Sequence, residues 1–418
     1  MEENKSIETQ KSASFFDKEE VKVSQISIAG GIPLGMKSVT NGELGIGGVY
    51  GTWGASYDNA ALPKFLKTRL GSELAEEEIM NLDELGFLSR HHIPELTENE
   101  HLELELEVGA QFLREGALAN GWNPSDVQGV MIGMSCPVSN DYVAQISERA
   151  GIPEDALKVT VHKACDGSMG ALHLALNPEL SENGKVNIAE ELRGKKVLVG
   201  GIEGLSRLTA HAKDKNALQL FGNGAGIIGV VPGETMKFLV GKSRENYDED
   251  GLLQLRMFYP HSRARIPGES LLELQYEDLK NITIAGLMHE PQDGSPILMA
   301  GLMGMVKLFV RTGVDVVTDV YKEYQNLIDR IGQSGKSIEV VIAHHANYKI
   351  NLLKAKQLMK NGVQLPMPWL LNDFGNVSAA SCMIAFLRYM QNLKPGDHVL
   401  FDGFGAGTYY DVMAVSLG

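Results

Sequence analysis

The chain has 418 residues, 44% of them hydrophobic, with three cysteines and a formal net charge of −15. So acidic a balance argues against general nucleic-acid binding, which needs a basic surface to neutralise phosphates, and leaves room only for a local basic patch. No uninterrupted apolar run reaches the roughly 18 residues of a membrane span, so no membrane partner is expected. Cys136, Cys165 and Cys382 are too few for a disulfide framework and lack metal-ligand spacing, which reads as a reduced, cytoplasmic protein without a metal.

The first 22 residues are polar and mixed in charge, with no apolar h-region, and read as a flexible arm. VKVSQISIAGGI (21–32) alternates apolar and polar residues and predicts an opening strand that stops at Gly30-Gly31. The Gly-rich stretch 41–62, with Tyr50, Trp53 and Tyr57 interleaved, reads as a long ordered loop. ELAEEEIMNLDEL (73–85) has helical apolar spacing and an acidic face, either solvated surface or a binding face. A helix is predicted over 100–120, a short buried strand over 127–136 and a helix over 141–152. Strand 158–163 follows, then Cys165 and an apolar helix, a strand in 195–206, and a Gly-rich turn into a strand in 220–234. The second half continues the alternation, with a helical stretch over 297–330, strand–loop–helix over 337–358, loop into helix over 370–390, and two strands around a Gly turn over 397–418. Alternating strands and helices define an α/β chain, long enough for two similar halves.

The polar residues collect at strand-to-helix junctions. Cys165 sits at one such helix start, where free backbone N–H groups favour a thiolate and Gly167, Ser168 and Gly170 let a carbonyl approach; inert packing is the alternative. AHHANYKI (343–350) offers His344 as a base, a ligand or a satisfied core residue. NDFGNVSAAS (372–381) places Asn376 and Ser378 where plain turn and capping chemistry would also put them. The glycines of DGFGAGT (402–408) and FGNGAG (221–226) do not precede a helix, so the dinucleotide fingerprint fails on context.

Taken in order, these blocks resemble the thiolase superfamily and, more narrowly, β-ketoacyl-acyl-carrier-protein synthase III. Ala164-Cys165-Asp166-Gly167 stands for the family's A-C-A-G, and His344-His345-Ala346-Asn347-Tyr348-Lys349-Ile350 for its H-Q-A-N-x-R-I. Gly375-Asn376-Val377-Ser378-Ala379-Ala380-Ser381 stands for G-N-T-S-A-A-S. GFLSRHHIP (86–94) and MAGLMGMVKLFV (299–310) resemble two further family elements, so the likeness spans roughly 23–418. It implies a five-layered αβαβα fold of two pseudo-repeated halves, 23–235 (with an insertion at about 41–80) and 297–418, joined by an inserted segment 236–296. It also implies a homodimer with no bound cofactor, using acyl-CoA or acyl-carrier phosphopantetheine thioesters.

By the same resemblance Cys165 carries the acyl group, and His344 and Asn376 stabilise the enolate of a decarboxylating malonyl-type thioester. The backbone N–H groups of Cys165 and Ala406 form an oxyanion hole, and Phe404 gives an apolar wall. Asn347 and Lys349, with the basic cluster of Arg263 and Arg265, are candidates for contact with carrier or substrate. The expected activity is decarboxylative Claisen condensation in specialised fatty-acid or polyketide synthesis. The alternatives are an acyltransferase of the same fold and a non-catalytic thioester-binding subunit, the last disfavoured because the cysteine is present.

Several residues depart from the family pattern. Asp166 replaces a small residue next to the nucleophile; it either raises the thiol pKa, pairs with a histidine or Lys163, or sits in the first helical turn as a dipole partner. His345 replaces Gln, Lys349 replaces Arg, and Asn223 replaces Asp. His162 reads as a core or surface histidine. The tryptophan expected just before Gly86, which in the family stacks on coenzyme A, is missing. The chain is also about a hundred residues longer than a minimal member.

Overall fold

The computed structural model describes residues 14–135, 138–139, 141–181, 184–212, 214–245, 256–257, 272–286, 297–298, 306–405 and 409–418. Arg263, Arg265, Ala406 and Cys136 lie outside the described residues.

The strands in chain order are β1 (Lys22–Ile26), β2 (Ile32–Asn41), β3 (Ile46–Trp53), β4 (Ala55–Asp58), β5 (Ser89–His92), β6 (Gly129–Gly133), β7 (Leu157–His162), β8 (Val197–Glu203) and β9 (Gly224–Val230). They continue with β10 (Met236–Glu245), β11 (Arg256–Met257), β12 (Leu272–Tyr276), β13 (Asn281–Gly286), β14 (Ile297–Leu298), β15 (Ile338–Ala343), β16 (His398–Gly405) and β17 (Tyr409–Leu417). The helices are α1 (Leu62–Leu70), α2 (Glu98–Ala119), α3 (Tyr142–Ala150), α4 (Gly167–Leu176), α5 (Ile188–Leu192), α6 (Leu205–Ala212), α7 (Lys215–Leu220), α8 (Gly313–Arg330), α9 (Tyr348–Lys360) and α10 (Ser381–Tyr389).

A nine-stranded sheet runs β1-β2-β3-β9-β8-β6-β7-β13-β12, and a four-stranded sheet runs β10-β17-β16-β15. At the heart of the first, β7, β6 and β8 are parallel and β9 closes antiparallel. In the second, β15 and β16 are parallel and β17 antiparallel. Every residue of β6 to β9 is buried, as expected for parallel strands covered on both faces. Helices α4 and α10 lie between the sheets: α4 touches β6 and β8 on one side and β16 and β17 on the other, and α10 touches β9 and β15. All ten residues of α4 are buried, so it has no polar face. With α2 and α3 outside the first sheet and α8 outside the second, the layers are αβαβα. Within residues 236–296, β10 joins the second sheet, while the β12–β13 hairpin extends the first by parallel pairing of β13 with β7.

Two sequence expectations fail here. The stretch 41–62 is not a loop: it holds β3 and β4. Its glycines mark close backbone approach instead of flexibility. A Cβ at Gly47 would fall 2.2 Å from the Ala119 carbonyl oxygen, and one at Gly51 would fall 2.0 Å from that of Gly35. Nor is 73–85 a helix. Only Glu76–Glu78 form a 3-10 turn, because side chains satisfy the backbone: Gln219 Oε1 accepts from Met80 N and Asn81 Oδ1 from Glu84 N. The apolar residues Leu74, Met80 and Leu82 then pack with Phe65, Leu218 and Trp369. Of the helix expected over 297–330, Ile297–Leu298 are strand β14 instead, and from Val306 a π-type turn to Thr312 runs on as α8.

Candidate active site

Two buried elbows meet between the sheets. β7 leads into a 3-10 turn, Ala164–Asp166, that feeds α4; a second 3-10 turn, Ser378–Ala380, feeds α10. Among the described residues the non-glycine residues with positive φ are Ala164, at 49°, and Ser378, at 44°. An L-residue there is strained, and such strain is held only where surrounding packing fixes it. The packing is visible: Gly133 at the end of β6 abuts Gly167, and Gly201 in β8 abuts Ala379, each so closely that no Cβ fits.

Cys165 therefore sits at the first elbow with a free, buried thiol, 5% exposed. Burial pushes the thiol up to about 12; the Ser378 hydroxyl opposes this by donating to Sγ at 3.2 Å, while Glu203 and Asp166 add to it. The helix start does not prevail, because a carbon-lined interior penalises the thiolate more than a helix end favours it.

Ser378 connects the cysteine to Asn376: Ser378 N donates to Asn376 Oδ1 at 2.9 Å. One Asn376 amide N–H goes to the Ala346 carbonyl at 3.3 Å, leaving the other free to donate. His344 lies at the end of β15, its backbone N bonded to Asp402 O. Its Nδ1 is 2.5 Å from Ser381 Oγ, which also accepts from His345 N. The Ser381 hydroxyl can serve Nδ1 as donor or as acceptor; as donor it leaves the histidine's own proton on Nε2. Burial, with help from His345 and Lys354, lowers the His344 pKa to about 3, so the ring is a neutral donor. Phe404 packs edge-on to it at 5.0 Å. Behind Phe404, buried Lys354 pairs with Asp402 and lies 4.3 Å from the ring centre.

The other sequence candidates fall on the margins. Asn347 spends its side chain capping α9, accepting from Ile350 N at 2.9 Å, and Lys349 pairs with Glu84 at the surface. His345 accepts from Leu370 N on Nε2 and meets the Ala343 carbonyl through Nδ1, an architectural pair of bonds. Cys382 is packed in the core. Asn223 ties strands together, donating to Trp53 O and accepting from Ser206 N. Beside Gly86 stands a different tryptophan: Trp369 donates to Gly86 O at 2.8 Å and packs on Phe87, His345 and Tyr348.

Besides adding to the rise of the thiol, Asp166 belongs to a buried charged cluster under the elbow. Asp411 of β17 holds Lys163 at 2.5 Å and His173 Nδ1 at 2.7 Å. Burial, and then the Asp411 charge, push the Asp166 carboxyl well up. Two of the readings open for Asp166 hold: it adds to the rise of the Cys165 thiol, and it joins the Lys163 cluster through Asp411.

Two residues that no sequence motif singles out stand beside the thiol. Glu203 Oε1 accepts from Ser135 Oγ at 2.6 Å, Ser135 N at 2.8 Å and Ala379 N at 3.1 Å. Ser135 Oγ is in turn 2.5 Å from Ser378 Oγ. The available signal was an acid ending the otherwise apolar strand VLVGGIE.

Comparison with known proteins agrees with this architecture. Residues 328–417 match the family described as 3-oxoacyl-[acyl-carrier-protein (ACP)] synthase III C terminal. The chain is 28% identical over 315 residues to a beta-ketoacyl-[acyl-carrier-protein] synthase III of Clostridium tetani, covering 72% of this chain and 80% of that one. A Streptomyces avermitilis synthase of the same name is also 28% identical, over 53% of this chain and 59% of its own length. Among solved structures, the synthase III of Thermus thermophilus superposes with a TM-score of 0.58 at 21% identity, covering 92% and 98% of the two chains. The type III polyketide synthase domain of Steely1 from Dictyostelium gives 0.60 at 15%, covering 91% and 99%. The five layers are those of the thiolase fold. In sequence the chain is similar to beta-ketoacyl-[acyl-carrier-protein] synthases III.

Proposed function

We propose that the chain catalyses a decarboxylative Claisen condensation, joining an acyl group on Cys165 to a malonyl-type thioester. What supports this reading is that His344, a neutral ring engaged by Ser381 at Nδ1, and Asn376, with one amide N–H on the Ala346 carbonyl and one to spare, stand at the junctions after β15 and before α10. Enolate formation needs neutral donors of this kind, whereas simple acyl transfer needs none. In the first half-reaction the Cys165 thiolate attacks the acyl thioester, and the carrier thiol leaves. In the second, the carbon–carboxylate bond of the malonyl group breaks, carbon dioxide departs, and the enolate oxygen takes hydrogen bonds from His344 and Asn376. The enolate carbon then attacks the acyl-Cys165 carbonyl. The tetrahedral oxyanion is held by backbone N–H groups, Cys165 and Ala406 in this reading, before the thiolate is expelled. Each preorganised donor is worth about 3–4 kcal/mol. Phe404 supplies the apolar wall that favours loss of the carboxylate.

The substrates in this reading are acyl-carrier or acyl-CoA thioesters, with Lys349, Arg263 and Arg265 as carrier-facing candidates. The enzyme would work as a cytoplasmic homodimer whose halves are 23–235 and 297–418, with 236–296 inserted between them. Among the described residues no helix is long and apolar enough to cross a membrane. The test is incubation with acyl-CoA and acyl-carrier donors plus malonyl carrier, followed by mass spectrometry of protein and product. A β-ketoacyl product that disappears in Asn376→Ala is expected. Acyl-Cys165 formation without condensation at any chain length would overturn the reading in favour of plain acyl transfer.

A further inference from the structure

Burial leaves Cys165 as a thiol at rest, and His344, its pKa lowered to about 3 and its Nδ1 engaged with Ser381, is a weak base for it. A route for the proton exists on the other side of the sulfur. Sγ, Ser378 Oγ, Ser135 Oγ and Glu203 Oε1 stand in file at 3.2, 2.5 and 2.6 Å. We propose that Glu203 is the proton acceptor for Cys165, acting through the hydroxyls of Ser135 and Ser378.

Three hydrogens serve three contacts, and they can do so in two concerted orders. With the thiol present, Cys165 S–H donates to Ser378, Ser378 to Ser135, and Ser135 to the Glu203 carboxylate. After transfer each hydrogen has moved one place: Glu203 is protonated and donates to Ser135, Ser135 to Ser378, and Ser378 to the thiolate. The sulfur then forms its bond to the acyl carbon. The departing carrier thiolate recovers a proton when the file runs in reverse, so acylation begins and ends with an ionised Glu203. All four residues are buried, so bulk water does not short-circuit the path. The Ser135 and Ala379 N–H groups pin the carboxyl from two further directions. The strained φ of Ser378 is the conformation that lets one hydroxyl reach both sulfur and Ser135 while its N–H holds Asn376. Burial raises the Glu203 pKa to about 8, so the ionised acceptor the relay needs grows in as the pH rises from 7 upward. The other titratable groups around it are Cys165, the Tyr142 phenol, and the Glu105–Arg207 pair of α2 and α6. Glu203 is a positioning residue in this scheme, since Ser378 alone touches the reacting atom.

The test follows alkylation of Cys165 by iodoacetamide, resolved by peptide mass spectrometry, from pH 6 to 10 in wild type, Glu203→Gln and Ser135→Ala. Glutamine keeps an oxygen for the Ser135 and Ala379 donors but accepts no proton. Both variants should alkylate on the order of 100-fold more slowly at pH 7, with the deficit narrowing as hydroxide takes over at high pH. Equal rates at pH 7, or a deficit constant across the range, would overturn the relay, since a purely structural defect scales all pH values alike. Should either variant fail to fold, the proton inventory of wild-type alkylation in mixed light and heavy water decides: a curved, many-proton inventory is expected, and a linear one refutes the relay. The proposal deepens the condensation reading, yet alkylation needs no thioester. Normal pH-dependent alkylation without acylation by any donor would therefore count against that reading and leave the relay standing.

Discussion

Asp166 and Asp411 are adjacent buried carboxyls, yet their replacement by asparagine should have opposite consequences. Asp411 carries the charge. Its Oδ2 holds Lys163 and its Oδ1 holds His173, and both partners are buried with it. Asp411→Asn leaves the Lys163 ammonium in the interior without a counter-charge, a loss of about 3–5 kcal/mol for a broken buried pair. Asp166, pushed well up by burial and then by the Asp411 charge, is the carboxyl expected to hold the proton between the two. An asparagine side chain at 166 is a near-isostere of that acid and donates through its amide, so Asp166→Asn should stay within about 1 kcal/mol of wild type. Urea unfolding at pH 7 gives both numbers. In Asp411→Asn the Asp166 carboxyl can ionise and partly replace the missing charge. The double variant should then be less stable than the two single losses added together, a coupling that a mutant cycle reads directly. Equal losses for the two single variants would refute this assignment of the proton, and with it the reason an aspartate is tolerated beside the nucleophile.

Three further outcomes follow from the geometry. Asp373 lies between Arg388 and Lys18, and despite the opposing cost of burial these cations hold its carboxyl well below the usual range. Its folded pKa is depressed, so its stabilisation is present above about pH 4 and is lost as the pH falls further; Asp373→Asn should cost about 3–5 kcal/mol at pH 7, and unfolding curves should show the gap to wild type closing in acid. Removing the imidazole in His344→Ala should slow malonyl decarboxylation by about 10²–10³ while sparing acyl-Cys165 formation. Ser381→Ala removes one hydrogen bond to that ring, about 0.5–1.5 kcal/mol, and should cost only about two- to tenfold in the same single-turnover assay. Gly47→Ala forces a methyl against the Ala119 carbonyl and should destabilise by about 1–3 kcal/mol in thermal unfolding, although it lies in a stretch whose sequence reads as loop.

Gly47 also marks the boundary of what local sequence encodes. Strands such as Leu157–His162 and Val197–Glu203 are buried on both faces, so their apolar runs announce them locally. The glycines of Ile46–Trp53 carry no such signal, because what they encode is the nearness of Gly35, Ala119 and Ile227, residues far away in the chain. The same division runs through the site. Cys165, His344 and Asn376 each stand at a junction that the sequence pattern marks. The state of the cysteine does not follow from its own junction. Its helix start favours a thiolate, while the interior that encloses it favours a thiol. Which form reacts is decided by hydroxyls and a carboxylate from β8, the Ser378 turn and the segment after β6. Asp166 shows both halves: next to the cysteine in sequence it adds to the rise of the thiol, while its carboxyl also belongs to the cluster around Asp411, 245 residues further along the chain. Adjacency in sequence revealed the first role and hid both the second and Glu203, because burial and hydrogen bonding act through space on groups that the chain order keeps apart.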